Sequence, residues 1–346
     1  IPLSDTLFSS IAVSSKNRDG YVKRIPYPNA LPADQTDFRS IDQGVLDDLP
    51  NGNDLGNENN DTVRAKLLWQ IAEDKELLLS YDYTRVRENS APTVLETAEL
   101  WQTTGGIAGL YNACVSGMGP PLCGSIIDGR TGNVIDPMFT ERTPYDNRFL
   151  TGNDHTTYGN SISGTALDAW GISATYEWDI SDSITFKSIT AYRDLESIFG
   201  EDADMSPLII DHHGFELNQE QISQEFQLIG TGEKIKWVAG LYYFNEEGEN
   251  NDYVPLAGGL FQVDGPNDIE NTSYAAFGQL TYNITEDWSV TLGARATREE
   301  KEFTGGQTDR NDLSAKFGVP LAAFPDPTDT TRLFPLGEQE QDFDDH

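Results

Sequence analysis

The feature of this sequence that most constrains its fold is an asymmetry in the way its strand-like segments are joined. Segments of about ten residues alternate apolar and polar side chains, and very short and very long links connect them in turn. In the clearest case, YAAFGQLTYN at 274–283 leads through the ITED turn into WSVTLGARATREEKEF at 288–303. Tilted strands of about 9–11 residues cross a bilayer. Short turns at one rim and long loops at the other are typical of a transmembrane β-barrel.

The alternation therefore predicts an all-β, antiparallel transmembrane barrel, seen in part, as one domain over residues 1–346. Nine strands are recognisable, at 6–15, 62–71, 77–87, 166–178, 184–194, 221–229, 235–247, 274–283 and 288–303. Long loops at the extracellular rim are predicted at 16–61, 88–163, 195–218, 246–272 and 304–346, and short periplasmic turns join the other strand ends. Within the longest loop, the spacing around 93–104 predicts a short helix before Gly105 and Gly106.

The phase of the alternation predicts which side chains face lipid, because a slip of one residue would invert every face. Lipid-facing positions are expected at Trp170, Ile172, Leu241, Leu280, Val290 and Leu292. Lumen-facing positions are expected at Glu177, Glu225, Gln279 and Arg295.

The aromatic residues mark the two rims of the predicted barrel. Four tryptophans lie within about three residues of a short turn, namely Trp69, Trp178, Trp237 and Trp288. Four tyrosines lie at the long-loop ends, namely Tyr83, Tyr192, Tyr243 and Tyr274. Bands of this kind are the aromatic girdles expected at the two membrane interfaces. The alternative is ordinary core tryptophan in a soluble β-sandwich, which does not explain their confinement to one end.

The composition is strongly acidic, with 57 Asp and Glu against 23 Lys and Arg and a formal net charge of −34. Nucleic-acid binding requires a basic face, so this class of partner is excluded. The mean hydropathy of −0.48 is compatible with a barrel, in which only every second strand residue faces lipid. No run of 18 apolar residues predicts a membrane helix. No signal peptide is recognisable, and we expect a processed or incomplete chain.

The two cysteines, Cys114 and Cys123, lie in YNACVSGMGPPLCG. The intervening Gly and Pro residues suit a tight loop, which favours a local disulfide in an oxidising compartment. Two unpaired thiols are the alternative. A zinc site is not expected, because two thiolates without nearby histidine fall short of four ligands.

No catalytic motif is present: the sequence lacks a phosphate-binding glycine loop, an HExxH motif and a GxSxG elbow. We therefore expect neither an enzyme nor a cofactor. The histidines lie in predicted loops, at positions 155, 212, 213 and 346. Asp211, His212 and His213 are adjacent, and adjacent residues rarely point at one metal. Glu201, Asp202 and Asp204 are candidate Ca²⁺ ligands, although solvated loop charge is the alternative.

Over about 164–303 the sequence resembles a known family, on the segments SITFKSITAYRDLES, QISQEFQLIG, KIKWVAGLYYFNEE and YAAFGQLTYNITEDWSVTLGARATREEKEF. These resemble the barrel of TonB-dependent outer-membrane receptors. A weaker resemblance covers 1–88. Barrels of such transporters have 22 strands, so nine strands suggest an interior piece. We expect a plug and a TonB box before residue 1 and further strands elsewhere in the full protein.

The resemblance implies a protein of the bacterial outer membrane that takes up a scarce ligand, often a ferric siderophore, through the TonB system. Its partners would be outer-membrane lipid, TonB acting through the plug, and a small molecule such as a metal chelate. The acidic loops favour a basic or cation-bearing ligand. Two alternatives remain open: a passive porin-like channel, and a secreted Ca²⁺-binding β-protein with an adhesive or sugar-binding role.

Overall fold

A computed structural model gives the fold of the chain. It describes residues 1–36, 46, 49–89, 91–98, 106–117, 123, 126–127, 134–136, 141–309 and 339–345. These residues are almost entirely strand, with a single α-helix, α1 (Ile107–Val115), and two 3-10 turns, Ala33–Gln35 and Asn147–Phe149. Within these ranges no helix is both long and apolar enough to cross a membrane.

Strands make up the rest of the regular structure. In chain order they are β1 (Leu7–Arg18), β2 (Val22–Arg24), β3 (Asp54–Leu55), β4 (Glu58–Ala72), β5 (Lys75–Asn89), β6 (Ile126–Ile127), β7 (Val134–Asp136), β8 (Thr156–Thr157), β9 (Gly164–Ser181), β10 (Ile184–Asp202), β11 (His212–Thr231), β12 (Ile235–Leu256), β13 (Phe261–Asn283), β14 (Ser289–Gly305), β15 (Thr308–Asp309) and β16 (Gln339–Asp345).

The long strands form one antiparallel sheet in the order β1-β4-β5-β9-β10-β11-β12-β13-β14-β16, with β15 beside β13. Each long strand therefore pairs with the next one along the chain, as in an up-and-down barrel. Among the described residues β1 and β16 are the two ends of this order, so the sheet is open. The small strands form two further sheets, β3-β2-β8 and β6-β7. The predicted antiparallel barrel fold is confirmed, and all nine predicted strands have a counterpart.

The strands at the long-loop end are longer than the alternation predicts, and two loop bounds are corrected. The predicted loop 195–218 is mostly ladder, since β10 runs to Asp202 and β11 begins at His212. The predicted loop 246–272 shrinks to a turn at 257–260 between β12 and β13. The reason is that strands with polar and acidic side chains form the same backbone hydrogen bonds as apolar strands wherever those side chains are exposed to water. The sequence signal for a strand was the apolar alternation, which ends earlier.

Cross-strand register divides the sheet into two faces, because directly opposed residues point to the same side. We call the apolar face the side that carries Ile172, Tyr192 and Ile222, which are opposed in turn across β9, β10 and β11. All six residues predicted to face lipid lie on this side. We call the polar face the other side, and all four residues predicted to face the lumen lie there.

The apolar face is open to its surroundings over its middle part. The side chain of Leu241 is 60% exposed and that of Leu292 is 71% exposed. Neither packs into a closed protein interior, which is the arrangement expected of a face that meets lipid.

The aromatic residues of the two predicted bands share this face. Register places Trp69, Trp178 and Trp237 on it near the short turns, and Trp288 lies directly before β14 in phase with Val290. The four tyrosines lie on the same face towards the long loops. The assignment of these bands to membrane interfaces stays a prediction.

The buried core of the chain lies in its loops rather than between sheet faces. We call this core and its surrounding segments the loop cluster. Its buried members are Leu46, Leu49, Ala98, Ala108, Tyr111, Cys114, Val115, Tyr145, Phe149, Ile162, Ala166, Leu208, Ile209, Ile210, Tyr253, Ala257 and Leu260.

The loop cluster packs on the apolar face, at the long-loop end of the sheet. A side chain at Gly200 would meet Leu46 and Leu49, and one at Gly214 would meet Leu46. Both glycines are in phase with Tyr192 and Ile222. The same face is therefore open at mid-height and covered by loops at its end.

Among the described residues the helix begins after the two glycines, and the predicted helix at 93–104 is absent over 93–98. Residues 91–98 form neither helix nor strand, and 99–105 lie outside the described residues. Gly106 precedes the helix with φ of 85°, a backbone conformation that glycine adopts without strain. The helix then packs its buried side chains, among them Tyr111 and Cys114, into the loop cluster.

Candidate ligand-binding site in the loop cluster

A cavity of about 550 Å³ opens within the loop cluster. Four stretches of chain supply its walls: the segment that begins at the end of β2, the residue before β3, the segment after β8, and the link between β10 and β11. The lining residues are Arg24, Ile25, Pro26, Tyr27, Asn29, Leu31, Thr36, Asn53, Tyr158, Gly159, Asn160 and Pro207. Mixed apolar and polar walls of this kind are typical of small-molecule sites.

Aromatic rings form one wall of the cavity. The Tyr27 ring lies 5.2 Å from the Tyr158 ring in an edge-to-face arrangement. It also lies 5.2 Å from the Phe149 ring, which is fully buried behind it. Such ring pairs favour a fixed geometry, so Tyr27 and Tyr158 present a preformed apolar surface.

Arg24 supplies the positive charge of the cavity. Its Nη1 donates to Asn51 Oδ1 at 2.9 Å and its Nη2 donates to Ser163 Oγ at 2.7 Å. Burial lowers the pKa of the guanidinium, and the nearby charge of Asp202 opposes that shift. The side chain remains a cation, because an arginine is protonated at any physiological pH.

Behind the cavity, the carboxylate of Asp202 ties two segments together. Its Oδ2 accepts backbone N–H groups from Asn160 at 2.8 Å and Ser161 at 3.1 Å. Its Oδ1 accepts the N–H of Met205 at 2.8 Å. Asn160 in turn donates from its side chain to the carbonyl oxygens of Thr36 and Pro207. The cavity wall is thus held by a buried acid.

The carboxylate of Asp204 organises the link that follows β10. Its Oδ1 accepts from the backbone and hydroxyl of Ser206, and its Oδ2 accepts the N–H groups of Ile210 at 2.9 Å and Asp211 at 3.0 Å. His212 Nε2 lies 3.2 Å from the same Oδ2. These bonds fold 203–211 into a compact turn whose apolar residues, 208–210, are buried.

Burial and the charges of neighbouring side chains shift the pKa values of Asp202, His212 and Tyr145. Burial, together with the charge of Asp204, raises the pKa of Asp202 to about 6. Burial alone would lower the pKa of His212, but its bond to Asp204 and the charge of Asp202 raise it. The Tyr145 hydroxyl donates to the Asp204 carbonyl oxygen at 3.0 Å. Burial and the nearby carboxylates raise the pKa of Tyr145.

The structure brings together only two of the three candidate Ca²⁺ ligands. Ligand atoms of Asp202, Asp204 and His212 lie within 4.8 Å of one another, and all three residues are buried. Glu201 lies on the opposite face, where it is opposed to His213. Backbone N–H groups donate to the carboxylate oxygens of both Asp202 and Asp204. Metal binding there stays a prediction.

The other two histidines that the structure describes lie apart from this cluster. His213 Nε2 is 3.0 Å from Asp211 Oδ1, so the two adjacent histidines point to different partners. His155 precedes β8 at an exposed position, and position 346 lies outside the described residues.

The two cysteines lie within the loop cluster and are joined as a disulfide, with their Cα atoms 5.4 Å apart. Cys114 is buried in helix α1, and Cys123 packs against the same core. The bridge therefore ties the loop that follows the helix to the core of the cluster.

The polar face provides a second candidate surface. Lys187 pairs with Glu177 at 2.5 Å, and Arg193 pairs with Asp82 at 2.9 Å. The Arg295 guanidinium lies 5.6 Å from the ring centres of Tyr242 and Phe277, which is cation–π distance. The polar face thus carries ion pairs on β5, β9 and β10 and a cation–π contact on β12 to β14.

No sequence pattern indicated the cavity residues Arg24, Tyr27 and Asn160. They lie in or near segments with no apolar period, and nothing in such a segment marks which residues will meet. The only local signal was the Pro and Tyr content of RIPYPN at 24–29, which indicates a fixed extended stretch.

The fold and these two surfaces define a class: a transmembrane β-barrel, seen in part, with an apolar face, a polar face and a folded loop cluster at the long-loop end of its strands. Residues 125–334 match the family model described as TonB dependent receptor-like, beta-barrel. That match covers more than half of the chain, and the chain belongs to this family. The family is one of receptors and transporters and not of enzymes. Among curated proteins, none matches this sequence.

Solved structures of siderophore receptors resemble the chain. The ferric yersiniabactin uptake receptor FyuA from Yersinia pestis has a TM-score of 0.56 at 12% identity, over 99% of this chain and 39% of that receptor. The ferric-catecholate import receptor Fiu from E. coli K12 has a TM-score of 0.45 at 11% identity, over 88% and 42%. The ferric preacinetobactin receptor BauA from Acinetobacter baumannii has a TM-score of 0.35 at 10% identity, over 87% and 43%.

Likeness at such identity shows the fold alone, and only the first of these scores is high enough to support it. The chain spans about two fifths of the length of that receptor.

Proposed function

We propose that the full-length protein is an outer-membrane receptor that imports a scarce small molecule, such as a ferric siderophore, driven by TonB. The observation that carries the proposal is the family match over 125–334. Membership of the family supports TonB-driven uptake and an outer-membrane location. The exposed apolar face and the charged polar face fit a wall with lipid on one side and a ligand path on the other.

The loop cluster is the place where we expect the ligand to bind first. Its cavity of about 550 Å³ has the size of a small-molecule site. The Tyr27 and Tyr158 rings would stack on an aromatic or chelate surface, and Arg24 would attract an anionic group. The acidic surroundings favour a ligand that also carries positive charge.

The test is uptake of radiolabelled iron chelates by cells that express the intact gene, in strains with and without TonB. We expect iron uptake from at least one chelate in the TonB-containing strain alone. Equal uptake in both strains would assign the protein to the second candidate, a passive channel. No uptake of any chelate would remove the siderophore as the ligand class.

A cavity variant sharpens this test. Tyr158→Ala removes a cavity wall, and we expect uptake to fall about tenfold, since an aromatic anchor contributes more than about 1 kcal/mol to binding. Tyr21→Ala is the matched control, because Tyr21 is 56% exposed and lies outside the cavity. A similar loss of uptake in both variants would show that the cavity does not capture the ligand.

A further inference from the structure

The polar face carries a surplus of positive charge at mid-height, although the chain as a whole has a net charge of −34. Because barrel strands tilt, height has to be counted along each strand from its short turn. We call the mid-height belt the polar-face positions that lie six to nine residues from the short-turn ends of β1, β4, β5 and β9 to β14. Lys66, for example, lies six residues from Ala72, the last residue of β4. Arg295 lies six residues from Ser289, the first residue of β14.

Five cations and two carboxylates occupy this belt, all of which the structure describes. The cations are exposed, and they are Lys16, Arg64, Lys66, Arg193 and Arg295. The carboxylates, Asp82 and Glu225, are half-buried. With a rise of about 3.3 Å per residue and a tilt of about 40°, the belt lies about 15–23 Å from the short turns and thus within the membrane-spanning part.

Both acids of the belt already have partners. Asp82 forms its ion pair with Arg193. Glu225 accepts a hydrogen bond from the side-chain amide of Gln227. Arg64 is directly opposed to Asp82, yet it forms no ion pair with any residue that the structure describes, and the same holds for both lysines of the belt. The positive charge of the belt is therefore available to a ligand.

Arg295 is the cation of the belt that lies among aromatic rings. Its guanidinium lies 5.6 Å from the ring centres of Tyr242 and Phe277, both of which belong to the belt. Its Nε donates to Thr297 Oγ1 at 3.1 Å, and its two Nη groups make no hydrogen bond to any described residue. A third ring of the belt, Phe244, follows two residues beyond Tyr242. Rings and unused N–H donors thus lie side by side on β12 to β14.

A larger group of acids lies elsewhere on the same strands. Five of them oppose each other in turn on the apolar face, nearer the long loops: Asp194, Glu220, Glu247, Glu270 and Glu302. Positive and negative charge are therefore segregated between the two faces. An anion is attracted to the polar face at mid-height and not to the apolar face at the long-loop end.

We propose that the imported ligand carries an anionic aromatic group and that this group binds the inner wall at Arg295. The anion accepts hydrogen bonds from the two Nη groups, which is the stronger, charge-assisted kind. The flat part of the ligand packs beside the rings of Tyr242 and Phe277. The remaining cations of the mid-height belt add an attractive field. The inference rests on the proposed function, because it names the chemistry of the molecule that this function imports.

The experiment uses the full-length protein in detergent and measures the binding of three probes by isothermal titration calorimetry. Naphthalene-1,5-disulfonate combines flat rings with negative charge. Ethane-1,2-disulfonate has the same charge without rings, and 1,5-bis(aminomethyl)naphthalene has the rings with positive charge. We expect the naphthalene disulfonate to bind at least about fivefold more tightly than either of the others. The preference over the cation should decrease as salt is added. Equal affinities for the three probes would overturn the proposal.

Two variants locate the site on the inner wall. Arg295→Gln removes the cation and should weaken binding of the naphthalene disulfonate at least about fivefold. Tyr242→Leu removes a ring and should weaken it at least about threefold. Arg85→Gln is the matched control, because Arg85 is an exposed arginine of β5 that lies on the apolar face. An affinity that is the same in Arg295→Gln and in the natural protein would overturn the proposal.

The variant Tyr158→Ala separates this site from the cavity in the loop cluster, which also offers rings and a cation. We expect it to leave binding at the inner wall unchanged. Binding that is lost in Tyr158→Ala and kept in Arg295→Gln would place the probe in the loop cavity and overturn the proposal. Binding of none of the three probes would also overturn it. TonB-dependent iron uptake reports separately on the proposed function, so that function can hold where the ligand class fails.

Discussion

Arg193 Nη2 lies 2.9 Å from Asp82 Oδ2, although the two residues belong to strands that are not neighbours. Asp82 in β5 and Arg193 in β10 are both opposed to Gly171 in β9, which separates them. Because Gly171 has no side chain, the guanidinium passes over it. A Cβ at this position would lie 3.3 Å from Arg193 Cζ.

We predict that Gly171→Val uncouples this ion pair. A double-mutant cycle with Arg193→Leu and Asp82→Leu should give a coupling energy of about 0.2–1 kcal/mol in the natural chain, the range for exposed pairs. In the Gly171→Val background the coupling should vanish. Urea unfolding of the full-length protein in lipid vesicles measures it. A coupling that persists with valine would show that the guanidinium takes another path.

We predict that the loop cluster is more stable in mild acid than at alkaline pH. The pKa of Asp202 is raised to about 6, so the folded form takes up a proton before the unfolded chain does, and stability rises as pH falls through that value. The raised pKa of His212 acts in the same direction, because its contribution is lost as pH rises. Hydrogen exchange of the Asn160, Ser161 and Met205 amides, corrected for the intrinsic rate, measures this stability.

The variant Asp202→Asn provides the control for this pH dependence. It should leave only the part of the pH dependence that is due to His212. Protection should be lower at every pH, because an amide group cannot replace both carboxylate oxygens as acceptors. Protection that increased with pH in the natural protein would contradict the assignment.

We predict that the two faces tolerate charge very differently in a bilayer. Ala174 and Thr175 are neighbours in β9 and point to the apolar and the polar face respectively. Ala174→Arg should destabilise the protein by about 2–4 kcal/mol, as expected of arginine near the middle of the lipid. Thr175→Arg should cost less than about 1 kcal/mol. Titrations of folding into lipid vesicles measure the free-energy cost of each substitution. Equal costs would show that the apolar face does not meet lipid.

We predict that loss of the disulfide loosens helix α1 without affecting the sheet. In Cys114→Ser/Cys123→Ser, local unfolding of the helix should become easier by about 2 kcal/mol, the lower part of the range for a disulfide that closes a short loop. Hydrogen exchange at Tyr111 and neighbouring amides measures the change, and amides of β12 and β13 are the internal control. Unchanged exchange in the helix would mean that packing alone holds it.

The positions of the strands and the faces of their side chains were predictable because the period-two alternation of apolar residues determines both. An apolar face repeats every second residue, and the register of a hairpin then determines the facing of its partner strand. Trp170 and Leu292 were placed on one side for this reason, and the structure has them there. The extensions of β10 to β13 were missed because residues such as Glu247 and Glu270 continue the ladder without an apolar period.

The candidate site was less predictable because its contacts join distant segments. Asp202 was identified as an acid in an acidic loop, but its partners Asn160 and Ser161 lie about forty residues away. Backbone N–H groups leave no trace in side-chain composition, so the sequence indicated solvated loop charge or a Ca²⁺ ligand and not a buried structural acid. The proximity of His212 to Asp204 follows from the β10–β11 register, which continues beyond the apolar pattern.

Five carboxylates oppose each other in turn across neighbouring strands of the apolar face, namely Asp194, Glu220, Glu247, Glu270 and Glu302. Strands of a barrel tilt by about 35–45° against its axis, so this row climbs from strand to strand and does not lie at one height. Like charges that are directly opposed in a sheet repel each other, and dissolved salt screens that repulsion. The long-loop end of the sheet is therefore the part whose strand pairing depends most on the ionic strength of the medium.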